Sequence, residues 1–465
     1  MTQPTSTPVN ASLRIDKLRL TNYRCFARLE ISFDPSLTVL VANNGQGKTA
    51  VLDAIATALG PFVGAFDDGK DRAFDRDDIR LLRAGKGNRM ELAHGGAILE
   101  ATGVVDHDVG SWKRQLTGPK SRTTRKDAQA LIEFGKKLQR EVRQEVEMQR
   151  QYGEEVTTGT CLPLVAYYPT DRLWNIRRLP YKKLPRTSRM VGYTHCLESG
   201  SDFHLMADWF RYWSVNSLNR QLKAQQQGEE IIPSDFDHAL EAVRKAINLC
   251  LKPSGWGDMD FSIEREEVVV RHPEYGELPV GMLSDGIRSV LTLVADIAFR
   301  MVKLNPNLGP FAATETDGVV LIDEVDMHLH PAWQQTVLAS LREAFPRIQF
   351  IVSTHSPQVL SSIHSASVRL LGRDAQRKAV AWQPLASTYG EPSGDVLESV
   401  MQVDPQPPVP ERGDLHRLTE LVDQGQYDTD EAIQLWAALN PALGEQHPQL
   451  QRLQRSIQRQ RALKA

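Results

Sequence analysis

Apolar and polar positions alternate from Leu13 to Leu20, and again from Arg28 to Phe33. Period-two alternation predicts half-buried strands. Leu37 to Ala42 (LTVLVA) is an unbroken apolar run that opens into Asn43–Asn44–Gly45, as a strand buried on both faces does. From Thr49 the apolar positions Val51, Leu52, Ile55, Ala58 and Leu59 follow helical spacing up to Gly60–Pro61, a pair that predicts the helix end. The head of the chain therefore reads strand, glycine-containing turn, helix.

The middle is less regular. Residues 96–105 predict a strand, residues 124–151 one long polar helix, and residues 163–168 a buried strand. Two or three helical patterns fill 195–251, and Phe261 to Arg271 alternates as a strand. Beyond it, Ile287 to Val302 predicts a helix, Val319 to Ile322 a strand, Pro331 to Ala344 a helix, and Ile348 to Val352 a strand. Strands separated by helices imply an α/β fold with a mainly parallel sheet, whose ligands sit at the strands' carboxyl ends. Residues 404–412 (DPQPPVPER) predict a proline-rich linker, and 413–462 two or three amphipathic helices.

Composition narrows the classes. The 465 residues carry 55 Lys+Arg against 58 Asp+Glu, a net charge of −3, so any nucleic-acid surface is a local patch. None of Cys25, Cys161, Cys196 and Cys250 forms a C-x-x-C pair, which argues against a zinc ribbon or a disulfide framework. There is no basic-then-apolar leader and no apolar run long enough to span a bilayer, so a soluble, cytoplasmic protein is expected.

Four blocks carry chemistry. Ala42 to Thr49 (ANNGQGKT) matches G-x-x-x-x-G-K-[ST], except that Ala42 replaces the first glycine. Backbone N–H groups of Asn43, Asn44, Gly45, Gln46, Gly47, Lys48, Thr49 and Ala50 at a helix N-terminus would hold ATP phosphates. Lys48 would reach the β- and γ-phosphates, and the Thr49 hydroxyl would ligate Mg²⁺. At the end of the 319–322 strand, Asp323 would hold Mg²⁺ mostly through water, and Glu324 would orient or deprotonate the attacking water. Leu283 to Arg288 (LSDGIR) is either an ordinary helix start capped by Ser284, or a loop whose Ser284 and Gly286 face a γ-phosphate held by another subunit. His355, in Ser353–Thr354–His355–Ser356–Pro357, follows a strand and is expected at the γ-phosphate.

In type and order these blocks resemble the Walker A, signature, Walker B and H-loop motifs of the ABC-type ATPase heads of the RecF, SMC and OLD group. Glu324 to Pro331 (EVDMHLHP) is similar to the family's E-x-D-x-x-L-H-P stretch, and Asn22 to Phe26 (NYRCF) to its N-F-R-x-F, whose arginine, here Arg24, lies near the nucleotide. The resemblance covers roughly residues 12–105 and 260–385. It implies an ABC-type P-loop head with an antiparallel β subdomain, a helical insertion and a helical C-terminal tail. It divides the chain into an N-terminal lobe at 1–110, an insertion at 111–255, a C-terminal lobe at 256–385 and a linker and tail at 386–465. It also implies at least a homodimer of heads, with the Ser284 loop of one closing on ATP held by Lys48 of the other. The family's Q-loop glutamine has no clear match; Asp171 or Arg172 stands near its place.

Within the group the chain is similar to the ATPase subunits of the Septu anti-phage system, PtuA. The cues are its size, the YYPTDRLW segment at 167–174, the short insertion, and the Y-G-E at 389–391 followed by a proline linker and helical tail. That likeness implies a separate HNH nuclease subunit (PtuB-like) as partner and a sensing or gating role, with slow or regulatory hydrolysis. A RecF-like ATPase clamping DNA on its own is the alternative. An OLD-type nuclease in cis is disfavoured, because no Asp/Glu cluster follows His355 at a strand end. Two basic stretches remain. Residues 112–140 read better as a solvated face, and 172–189, with Trp174 and Tyr181 interleaved, as a nucleic-acid or partner contact.

Overall fold

The structure is a computed structural model that describes residues 12–83, 89–152, 159–170, 188–198, 203–444 and 446–464. The chain forms two compact units, Met1–Val396 and Leu397–Ala465. In chain order the strands are β1 (Leu13–Tyr23), β2 (Phe26–Ser32), β3 (Leu37–Val41), the short β4 (Leu81–Arg83) and β5 (Met90–Leu92), β6 (Ala97–Val105), β7 (Asp108–Leu116), β8 (Leu164–Tyr168), β9 (Gly257–Ser262), β10 (Glu267–His272), β11 (Gly276–Pro279), β12 (Gly318–Ile322), β13 (Ile348–Thr354), β14 (Val368–Arg373) and β15 (Ala379–Trp382).

The central sheet has the order β15-β14-β3-β13-β12-β8 and is parallel except for β15. Every residue of β3, β8, β12 and β13 is buried, which is why these strands read as continuous apolar runs. A second, antiparallel sheet has the order β2-β1-β6-β7. One polar side chain ties the two sheets. Gln349 of β13 accepts from the Ile15 amide at 3.0 Å and donates to the Ile15 carbonyl at 2.7 Å, where the β1–β6 register shifts. That irregularity frees the Ile15 backbone groups for the glutamine.

The helix after the phosphate loop runs Lys48–Val63, straight through the expected stop at Gly60–Pro61. Pro61 has no N–H for the Thr57 carbonyl, and the Arg114 guanidinium supplies that donor at 2.7 Å. Gly60 serves packing instead, since a Cβ there would press on the backbone of Arg72. Arg114 comes from β7, a strand missing from the sequence reading because its basic residues fell in the 112–140 stretch. Its side chain is fully buried and forks onto Asp71 at 2.9 and 3.1 Å, so Arg114 is part of the core rather than of a solvated face.

Other boundaries shift for local reasons. The polar helix starts at Gln129 rather than near 124 and buries Leu131, Phe134, Leu138 and Val142. Phe261 to Arg271 is not one strand: it spans the end of β9, a turn with Glu266 at φ 53°, and most of β10. Pro331 to Ala344 breaks into Pro331–Gln334 and Val337–Ala344. In the second unit, helices Arg412–Asp423, Asp430–Leu443 and Pro448–Lys464 enclose a core of Leu415, Leu418, Leu421, Val422, Leu439, Leu450 and Leu453. No helix among the described residues is long and apolar enough to cross a membrane.

Candidate nucleotide site at the strand ends

The order of the parallel sheet puts β3, β13 and β12 side by side. Their carboxyl ends therefore deliver the phosphate loop, His355 and Asp323 to one place, though the loop lies 274 residues from Asp323 and 307 from His355 along the chain.

The loop turns on two glycines, Gly45 at φ 77° and Gly47 at φ 93°, conformations that a Cβ opposes. Gly47 also has no room for a side chain: a Cβ there would lie 2.5 Å from the Phe26 ring and 2.7 Å from Cys25 Sγ. The turn between β1 and β2 thus roofs the loop. Asn43, Asn44 and Gly45 are exposed, as is Thr49. No side chain caps the helix that starts at Lys48. Ala42 carries no penalty as the substitute for the first glycine. It is absent from the positive-φ residues and contributes its carbonyl, which accepts from Lys48 Nζ at 2.9 Å.

Lys48 is nearly buried, and burial holds its ammonium below the usual lysine range against the pull of Asp323, Glu324 and Asp326. Its Nζ lies 2.6 Å from His355 Nε2. A lysine ammonium has no lone pair, so in that bond the lysine donates and the ring nitrogen accepts. Thr49 Oγ1 donates to Asp323 Oδ2 at 2.6 Å.

The other oxygen of Asp323 accepts from Ser353 Oγ. The same Ser353 Oγ accepts from the Glu324 amide at 2.8 Å, and the Ser353 carbonyl accepts from the Val325 amide at 3.0 Å. Thr354 Oγ1 donates to Asp326 Oδ1 at 2.6 Å. Glu324 sits at φ 48°, a backbone conformation costing about 1–2 kcal/mol for a residue with a Cβ. The hydroxyls of Ser353 and Thr354 brace the carboxylate loop against the strand that carries His355. Sequence reading gave Ser353 and Thr354 no role. The signal was present: two hydroxyl residues directly before a strand-end histidine.

Arg24, at φ 44° in the roofing turn, is held by two carboxylates. Its Nε donates to Asp78 at 2.7 Å and its Nη1 to Asp53 at 2.5 Å. Asp53 lies on the phosphate-loop helix and also takes Arg72 and the Tyr167 hydroxyl. Arg24 thus anchors the turn to the helix through a shared carboxylate. Asp171 and Arg172, the residues near the Q-loop position, lie outside the described residues.

Ser284 occupies the N-cap position of the helix Asp285–Leu304 without making a cap hydrogen bond, and it is exposed. Gly286 is pressed against the carbonyl of His328, so a Cβ there would collide with the stretch that follows Glu324. Further along this helix, Asp296 accepts from Tyr168 at the end of β8 and from Arg300, both at 2.7 Å in full burial.

Most of the 172–189 stretch lies outside the described residues. Arg189 is described, and its guanidinium is committed to Glu145 at 3.1 Å and to the carbonyls of Leu304 and Thr160. It is a structural ion pair, not a free phosphate contact.

A family model described as an AAA domain matches residues 17–251, and a second AAA-domain model matches 211–361. The retron Vc95 probable ATPase of Vibrio cholerae serotype O1 biovar El Tor is 27% identical, over 90% of this chain and 85% of that protein. The retron Ec83 probable ATPase of Escherichia coli is 25% identical, over 96% of this chain and 87% of that protein. The Septu protein PtuA of Bacillus mycoides (strain KBAB4) is 38% identical, over 23% of this chain and 14% of its own length.

Proposed function

This chain belongs to the AAA-domain family of ATPases, and we propose that it serves as the nucleotide-gated subunit of an anti-phage defence complex. The observation that carries the site reading is the convergence of Lys48, Thr49, Asp323 and His355, with bonds of 2.6 Å joining Lys48 to His355 and Thr49 to Asp323. The defence reading rests on two retron ATPases similar over nearly the whole chain and on the partial likeness to PtuA.

In this reading ATP phosphates lie on the amides from Asn43 to Ala50, where the helix start has no side-chain cap. The residues present fit Mg²⁺, since Thr49 and Asp323 already place two oxygens together, and this ion takes few protein ligands beside phosphate and water. Bound Mg²⁺ would neutralise charge developing on the β- and γ-phosphate oxygens. Lys48 would exchange His355 for phosphate oxygen, releasing the imidazole to face the γ-phosphate. Glu324 would orient or deprotonate water. Ser284 and Gly286 would come from a second copy, so the complete site needs at least a homodimer of heads. The partner would be a separate HNH nuclease subunit, and the compartment the cytoplasm.

The test is co-expression with the neighbouring open reading frame, followed by native mass measurement with and without ATP. A nuclease subunit held in a complex whose stoichiometry or activity changes with ATP supports the reading. ATP-strengthened DNA binding by the lone chain, with no partner captured, would replace it with a RecF-like clamp.

A further inference from the structure

The last helix, Pro448–Lys464 (PQLQRLQRSIQRQRALK), contains five cations and no carboxylate. Its apolar side is used up within its own unit: Leu450 and Leu453 are core residues and Ile457 packs against them. Opposite that side stand Arg452, Arg455 and Arg459, at i, i+3 and i+7, all exposed. A rise of about 1.5 Å per residue spreads them over roughly 10 Å. Gln451 and Gln458 share the face.

The same unit holds acids too, and those that form ion pairs do so with other cations. Arg417 takes Glu420 and Glu431, His416 takes Glu420, and Arg412 takes Asp404. Among the described residues none of Arg452, Arg455 and Arg459 forms an ion pair, and the one bond recorded from them runs from Arg455 Nε to the Gln451 carbonyl at 3.3 Å. The face therefore offers guanidinium forks on a helix with no counterion among the described residues.

We infer that this face binds the phosphate backbone of double-stranded DNA, independently of base sequence. Arginine forks match phosphate oxygens bidentately, and glutamine amides add neutral donors of the kind that contact phosphates. A membrane surface fits poorly, because an interfacial helix must insert its apolar side, and here Leu450, Leu453 and Ile457 are covered by the neighbouring helices. An acidic protein partner fits poorly too, since such interfaces centre on clusters of apolar or aromatic anchors, and this face carries a single exposed apolar residue, Leu463, at its last turn. The inference does not rest on the ATPase reading.

The test uses the full chain and a labelled DNA duplex of arbitrary sequence, titrated across a range of salt concentrations. Replacing Arg452, Arg455 and Arg459 together with Gln leaves the core intact, so thermal unfolding should not move. Affinity should fall about 10²–10³-fold near 0.1 M salt, and the slope of log K against log salt should shrink by roughly 3. Lys48→Ala, by contrast, should bind DNA as the wild type does, which separates this result from any failure of nucleotide binding. A charge-matched control replaces the exposed Lys120, Arg122 and Lys136 with Gln. Equal losses in both variants, or an unchanged slope in the first, overturn the inference. So does retention of anionic vesicles or duplex RNA in place of DNA.

Discussion

The phosphate-loop side of the site and the signature loop are built on opposite terms. On the first side the charged and hydroxyl side chains already have partners in cis: Lys48 holds Ala42 and His355, Thr49 holds Asp323, and Ser353 holds Asp323 and Glu324. On the second, Ser284 is exposed at a helix start and makes no cap bond. A buried network resists change because each loss leaves an unpaired polar group. An exposed helix start with an open donor face costs little to keep waiting. The contrast is the one the proposed dimer requires, with side chains on one side already committed in cis and Ser284 left exposed for a second copy.

The largest expected effect tests the completed half. Lys48→Ala should abolish nucleotide binding by calorimetry and lower turnover by about 10²–10³-fold or more, the loss expected for one preorganised charge donor. If binding survives, the phosphate-loop assignment fails.

Glu324→Gln follows. It should retain nucleotide binding and lose about 10²–10⁴ in turnover, as removal of a general base does. Native mass measurement should then show ATP-dependent dimers accumulating. A monomer that stays monomeric with ATP would break the outward-facing half of the comparison.

Mixing sharpens it. Ser284→Arg and Lys48→Ala should each be inactive alone. In an isologous dimer, their mixture restores one intact composite site per heterodimer, about a quarter of wild-type turnover at most under free exchange. No recovery in a mixture shown by mass to contain heterodimers would place Ser284 outside the partner's site.

The smallest effect concerns bracing. Ser353→Ala should cost roughly 10–100-fold in turnover, the range seen when a partner of a metal-holding group is removed. The Mg²⁺ concentration needed for half-maximal activity should rise, while nucleotide binding without Mg²⁺ stays as it was. Ser353→Thr, which keeps the hydroxyl, should recover most of the loss.

Much of this arrangement is legible in the sequence for a definite reason. Strands buried on both faces must be unbroken apolar runs, and in a parallel sheet their carboxyl ends share one edge. Lys48, Thr49, Asp323 and His355 are therefore placed together by the sequence pattern alone. The failures share a cause as well. Gly60–Pro61 reads as a stop only if helix carbonyls must be satisfied by their own helix, and Arg114 satisfies one from another strand. Arg114 and Arg189 read as surface charge because Asp71 and Glu145 lie far away in sequence.

The sequence by itself determined what is local: the glycine turn that must adopt positive φ, the helix that follows it, and the apolar strands that deliver charged groups to their ends. Tertiary structure decided which charges are spent and which remain. It buried Arg114, tied Arg24 to Asp53, braced Asp323 with Ser353, and left Arg452, Arg455 and Arg459 without a carboxylate among the described residues. A hydrogen bond or ion pair needs partners within about 3–4 Å. Over separations of tens to hundreds of residues, only the order of strands and the packing of helices set that distance.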